Sequence, residues 1–184
     1  SRMLKRAQEE EIVRTTVVSP SGIYSDLEEG LRLKYHIKEA IVVECSEDRD
    51  GAIMSRIGEA AAHFVEATLQ PDEIIGVSSW SETVLKMVEN IHPLKLGRAK
   101  YVVQTLGGMG DPTVQMHANH LTTRLAKLTG AEPRMLSAPG VAQSREAKLV
   151  LLGDSYLRAT MDLFSKITLA IVGVGTVAPS DMLA

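Results

Sequence analysis

Short apolar runs alternate with segments of helical periodicity along this chain, and that alternation constrains the fold more than any single motif does. The runs are IVRTTVVS (12–19), AIVVECS (40–46), EIIGVSS (73–79), KYVVQTLGG (100–108), PRMLSAP (133–139) and LAIVGVGT (169–176). Between them lie SGIYSDLEEGLRLKYH (21–36), AIMSRIGEAAAHFVEATL (52–69), ETVLKMVENI (82–91) and MHANHLTTRLAKLTG (116–130), with two further helical segments before residue 169. Apolar residues in these segments recur at the three-to-four spacing of a helix that buries one side. Pro20 is placed to open the first helix and Gly130 to cap the end of the fourth. Strands and helices in alternation predict an α/β fold, a three-layer sandwich whose mainly parallel sheet is covered on both faces.

Composition narrows what such a fold can be for. With 184 residues, 45% of them hydrophobic, the chain can build one well-packed domain. No repeat or Gly/Ser linker divides it. A net charge of −3 gives no general field to draw the body of the chain onto nucleic acid or anionic lipid. Cys45 has no second cysteine to pair with, which points to a reducing compartment and a cytoplasmic location. No apolar stretch approaches the roughly 20 residues that span a bilayer, so no membrane partner is expected.

In open parallel sheets ligands bind outside the carboxyl ends of the strands. Three predicted strand exits are rich in small or polar residues. The first, GVSSWSET, offers the hydroxyls of Ser78, Ser79, Ser81 and Thr83 around Trp80, where a helix start supplies unpaired N–H groups and a favourable dipole. That chemistry suits an anion, most economically a phosphate. It also suits a plain N-cap with solvated neighbours, and the stretch alone does not separate the two. At the second exit, Gly107, Gly108 and Gly110 permit close backbone approach or positive φ, and Gln104 can present an amide to a hydroxyl. A ligand-free glycine turn has the same composition. The third, with Gly173, Gly175 and Thr176, lacks the last glycine and the acid of a dinucleotide fingerprint, so no nucleotide cofactor is expected.

Catalytic and metal constellations are thin. His117 and His120 stand three residues apart on a predicted helix, but no Cys or carboxylate cluster completes a metal site. His63, His92 and His36 are scattered. Glu82 is the one carboxylate beside the serine turn, and an acid in a first helical turn is ordinary N-terminal stabilisation. No nucleophile has an adjacent base.

SRMLKRAQEEEIVRTTVVSPSGIYSDLEEGLRLKYHIKEAIVVE resembles the junction between recognition helix and effector domain in SorC-type bacterial sugar-responsive transcription regulators. The likeness continues through IIGVSSWSETV, YVVQTLGGMGDP, ANHLTTRLAKLTGAEPRMLSAPGVAQS and LAIVGVGTVAPS, in the same order. It implies a domain similar in fold to sugar-phosphate isomerases, deaminases and CoA transferases. That domain would bind a phosphorylated sugar effector and control operator DNA binding by an attached N-terminal module, in a homodimer or homotetramer. By the resemblance, residues 1–11 are the end of a helix-turn-helix module, with Arg2, Lys5 and Arg6 its remnant. Residues 12–184 are then the effector domain, expected to continue beyond Ala184. Ser78 to Thr83 would be the phosphate turn. Gln104, Gly107, Gly108 and Met109 would face the sugar with Asn119 behind them, and Gly173 and Gly175 would close the third exit. The family commonly has glycine and a basic residue where this chain has Ser81 and Glu82, and a glycine in place of Glu11. Two other readings compete with the regulator: a sugar-phosphate isomerase or deaminase using Glu82, and an oligomerisation module without a ligand. The scarcity of acid–base groups at the exits disfavours the enzyme.

Overall fold

The computed structural model describes residues 24–94, 99–108 and 112–175, without the side chains of 112–115 and 117. The predicted strand 12–19 and the boundary after residue 11 lie outside the described residues. The chain divides into two compact units, Ser1–Glu44 and Cys45–Ala184.

In the first unit, helix α1 (Ser25–Tyr35) carries Asp26 and Glu28 in its first turn and Arg32 and Lys34 in its last, matching its dipole at both ends. It ends at His36, which adopts the left-handed conformation (φ 53°, ψ 34°). The chain then turns back: Arg32 Nε donates to the Lys38 carbonyl at 3.1 Å, and the Val42 N–H donates to the Glu28 carboxylate at 2.9 Å. The expected strand at 40–46 is absent. Its β-branched residues suit a strand, but the Val42 amide is bonded to a side chain rather than to a neighbouring strand.

The second unit holds the sheet. Helix α2 (Asp50–Thr68) leads through a turn, with Asp72 at φ 62°, into β1 (Glu73–Val77). Then follow α3 (Glu82–Asn90), β2 (Ala99–Gln104), α4 (Pro112–Thr129), β3 (Glu132–Arg134), α5 (Arg145–Gly153), α6 (Ser155–Met161), a 3₁₀ turn (Phe164–Lys166) and β4 (Leu169–Ile171). The strands run in the order β3-β2-β1-β4 and every pairing is parallel, as the alternation predicts. β3 and β4 are much shorter than the apolar runs that announce them.

Parallel crossovers are right-handed. The steps β1 to β2 and β2 to β3 go the same way, placing α3 and α4 on one face, with α2 packed on α3. The return from β3 to β4 goes the other way, so α5 and α6 cross the opposite face. The main core fills the first interface: Ile75, Val77 and Val102 from the sheet meet Val65 of α2, Met87 and Val88 of α3, and Leu121 and Leu125 of α4. Burying each such side chain contributes about 1.5–3 kcal/mol. Helix α4 ends as expected at Gly130 (φ 66°), and the Ala131 N–H returns to the Ala126 carbonyl at 2.8 Å in a Schellman closure.

Glu66 of α2 fastens the end of α3. Its carboxylate accepts from the His92 backbone N–H at 2.6 Å and lies 3.0 Å from His92 Nδ1. The backbone bond, followed by the ring of His92, holds the Glu66 carboxyl below its ordinary range against the opposing effect of burial. A depressed folded-state pKa contributes stability that is present above the unfolded pKa, near 4.5, and is lost as pH falls through the lower folded value. Glu66→Gln is therefore expected to lower the urea midpoint at neutral pH. The gap from the native chain should close toward pH 3, as titration of both by tryptophan fluorescence would read.

Candidate functional site at the carboxyl edge of the sheet

All four strands point their carboxyl ends to one edge, and the strand order reverses between β1 and β4. Ligands of open α/β sheets sit at such a switch point. Here it brings the serine turn after β1 beside the glycine stretch after β4. The Ser78 N–H donates to the Ile171 carbonyl at 2.9 Å, extending that pairing past β1. A Cβ on Gly173 would fall 2.1 Å from Ser81 Oγ and 2.6 Å from Ser81 Cβ, so the β4 exit lies directly on the turn.

Each hydroxyl of the turn has a distinct situation. Ser81 is the N-cap of α3, its Oγ accepting from the Val84 N–H at 3.3 Å. Ser78 and Thr83 are half-buried. Ser79 is 4% exposed and its Oγ has no hydrogen-bond partner among the described residues; the indole Nε1 of Trp80 is likewise buried without one among them. The first intrahelical bond of α3 runs from the Leu85 N–H to the Ser81 carbonyl, leaving the amides of Glu82 and Thr83 ahead of the ladder. Capping therefore accounts for one serine of the three. Glu82 is exposed.

The second exit is built onto the first and onto the end of the run PRMLSAP, which the sequence marked as a strand but not as part of a site. Gln104, fully buried at the end of β2, accepts from the Leu136 N–H at 3.3 Å through Oε1, while its Nε2 has no partner among the described residues. Thr105 Oγ1 donates to the Val77 carbonyl at 2.9 Å, tying the β2 exit to β1. The Gly108 N–H donates to the Ala138 carbonyl at 2.7 Å, and the Gly140 N–H to the Gly108 carbonyl at 2.6 Å. A Cβ on Gly107 would stand 2.2 Å from the Ala138 oxygen. Trp80 closes the ring: its Cη2 lies 2.8 Å from where a Gly140 Cβ would be. Gly107 and Gly173 are thus required for close approach rather than for positive φ, which among the described glycines only Gly130 shows.

The structure brings together Ser78, Ser79, Trp80, Ser81, Thr83, Gln104, Gly107, Gly108 and Gly173. Gly175 is exposed, with open space around it. Asn119 is half-buried in α4, seven residues past Pro112 and so about 10 Å along the axis from the start of that helix. Met109, Arg2, Lys5 and Arg6 lie outside the described residues. Residues missed were Thr105 and the β3 exit at 136–140, whose only sequence signal was the small-residue string SAPG. Among the described residues no cluster of His, Cys, Asp and Glu could hold a metal ion, and no helix is long and apolar enough to cross a membrane.

A cleft of about 450 Å³ opens elsewhere, on the flank of the sheet between β3 and α6, lined by Tyr101, Arg134, Asp154, Tyr156 and Thr160. Its polar groups are largely engaged. Arg134 pairs with Glu132 at 3.0 Å and lies 4.8 Å from the centre of the Tyr101 ring. Asp154 caps α6, and Thr160 donates to the Met135 carbonyl. Among the described residues the unmatched buried side-chain groups are at the strand exits, and we place the candidate site there.

This edge of a parallel sheet, with its serine turn at the switch point, is where open α/β domains bind small ligands. Comparison with known proteins gives the chain's family. Residues 21–184 match the family described as "Putative sugar-binding domain", and the chain belongs to that family. It is 28% identical over 182 residues to the sorbitol operon regulator of Klebsiella pneumoniae, covering 98% of this chain and 58% of that protein. The crystal structure of the full-length SorC regulator from the same organism superposes with a TM-score of 0.78 at 26% identity, over 98% of this chain and 58% of that one. A structure titled "Putative sugar-binding domain of transcriptional regulator DeoR from Pseudomonas syringae pv. tomato" matches with a TM-score of 0.69 at 37% identity, over 85% of this chain and 66% of that one. The chain thus spans a little over half the length of the curated regulators it matches.

Proposed function

We propose that the chain is the effector-binding part of a DNA-binding transcriptional regulator, and that a phosphorylated sugar binds at the seam between the β1, β2 and β4 exits. The observation that carries this reading is the set of buried polar atoms without partners among the described residues, Ser79 Oγ, Trp80 Nε1 and Gln104 Nε2, gathered beside the α3 N-terminus. An unmatched buried polar group costs about 1–3 kcal/mol, so three at one edge are better explained by a ligand or bound water that completes them than by packing. The phosphate takes the amides of Glu82 and Thr83 with the hydroxyls of the turn, and the sugar hydroxyls take Gln104. The regulators it resembles support the rest: an N-terminal module to which Arg2, Lys5 and Arg6 belong reads operator DNA, and a homodimer or homotetramer couples ligand to DNA. An effector that binds one quaternary arrangement better shifts the population toward it, and DNA affinity follows.

Calorimetric titration with pentose and hexose phosphates, the same sugars unphosphorylated, and inorganic phosphate tests the site. Phosphorylated sugars are expected to bind, with the double change Ser79→Ala and Thr83→Ala weakening them at least about tenfold, the lower end for one hydrogen bond to a charged group. Equal binding of unphosphorylated sugars, or undiminished binding by the variant, would overturn the assignment.

A further inference from the structure

We propose that this seam selects a sugar phosphate that also carries a free, positively charged amino group, with Glu82 as the residue that makes the selection. The inference rests on the phosphate seat proposed above. The four exit stretches, 78–81, 105–108, 135–144 and 172–175, contain no lysine, arginine or histidine. Within these stretches the groups offered to an anion are neutral donors: the leading amides of α3, the hydroxyls of the turn, and the buried Ser79 and Gln104 side chains with hydrogen-bonding capacity unused among the described residues.

The formal charge beside that seat has the opposite sign to the one an anion needs. Glu82 is the first residue of α3, is exposed, and makes no ion pair or hydrogen bond with any described side chain. A carboxylate one residue from the N-cap shares the favourable end of the helix dipole with the ligand anion and repels it. A second phosphate on the ligand increases that repulsion. An ammonium group on the ligand reverses it, pairing with Glu82 while the phosphate keeps the amides. The chemical class that satisfies the described groups named here is thus an amino-sugar monophosphate: one anion for the turn, one cation for Glu82, and hydroxyls for Gln104. A bisphosphate satisfies fewer of them, and a neutral sugar monophosphate leaves Glu82 unmatched.

Titration of the native chain and Glu82→Gln with four probes tests the proposal: glucosamine 6-phosphate, N-acetylglucosamine 6-phosphate, glucose 6-phosphate and fructose 1,6-bisphosphate. The native chain is expected to bind the free amine at least about threefold more tightly than glucose 6-phosphate, the scale of one exposed ion pair. The acetylated amine, which is uncharged, should lose that advantage. Glu82→Gln should remove the preference and improve bisphosphate binding. Because Glu82 is exposed and glutamine has nearly its shape, the variant is expected to fold, which its circular dichroism would check. If the monophosphates bind but the native chain shows no preference, or Glu82→Gln keeps it, the selection by Glu82 is overturned and the phosphate seat stands. If neither the monophosphates nor inorganic phosphate binds, both fail.

Discussion

Gly107→Ala is expected to give the largest loss of any single substitution at the carboxyl edge: about 3 kcal/mol of stability, the upper end for overpacking, with sugar-phosphate binding lost altogether. The added methyl would stand 2.2 Å from the Ala138 carbonyl oxygen and 2.9 Å from the Gly140 nitrogen. Neither atom belongs to a side chain that can rotate aside. Both belong to the segment hydrogen-bonded to Gly108 on either side of Pro139, so relief requires the β2 and β3 exits to part. Parting them withdraws the wall behind Trp80 and frees the Leu136 amide that holds Gln104 in place. Urea unfolding would read the stability and calorimetry the binding. A variant of native stability and affinity would show that the two exits are not joined as described.

Gly173→Ala is expected to act on the other side of the seam, more on binding than on stability. Its methyl would overlap the Ser81 hydroxyl at 2.1 Å and the Ser81 Cβ at 2.6 Å. Rotating the hydroxyl relieves the first overlap at the expense of the α3 cap, which is worth about 1 kcal/mol. The second persists until the β4 exit moves away from the turn. Affinity for a sugar phosphate is expected to fall at least about tenfold, since one mispositioned hydrogen bond to a charged group is worth about 1.5–3 kcal/mol. The thermal midpoint should drop only by the amount a lost cap explains. A thermal loss as large as that of Gly107→Ala, or unchanged affinity, would separate Gly173 from the site.

The alternation of apolar runs with periodic segments sufficed for the parallel sheet, because β1 and β2 are buried strands whose sequence and environment agree. It failed at 40–46, where local β propensity was not matched by a partner strand and Glu28 took the backbone instead. It overstated β3 and β4, since an apolar run shows that residues are buried, not where pairing stops. The serine turn could be placed at a strand exit because its hydroxyls lie in one contiguous stretch, but cap and ligand seat could not be told apart there. Thr105 and the Ala138–Gly140 junction were not legible, because each acquires its role from a neighbour across the sheet. Close approach and positive φ were both open for the glycines of the second exit, and the structure decides for close approach at Gly107, as it also shows at Gly173, while Gly175 stands in open space.

The strand order has one more consequence, for the chain as it leaves the ribosome. β1, β2 and β3 are joined by consecutive crossovers and can pair as soon as Arg134 has emerged, but β4 pairs with β1 across more than ninety residues of sequence. Domains assemble in the order their segments appear, and long-range pairings come late. A nascent chain that has reached β3 therefore owns the serine turn and the glycine turn, yet lacks Gly173 and the Ile171 carbonyl that complete the seam. With the ligand seated as proposed, a chain synthesised only as far as β3 lacks the β4 side of its seat.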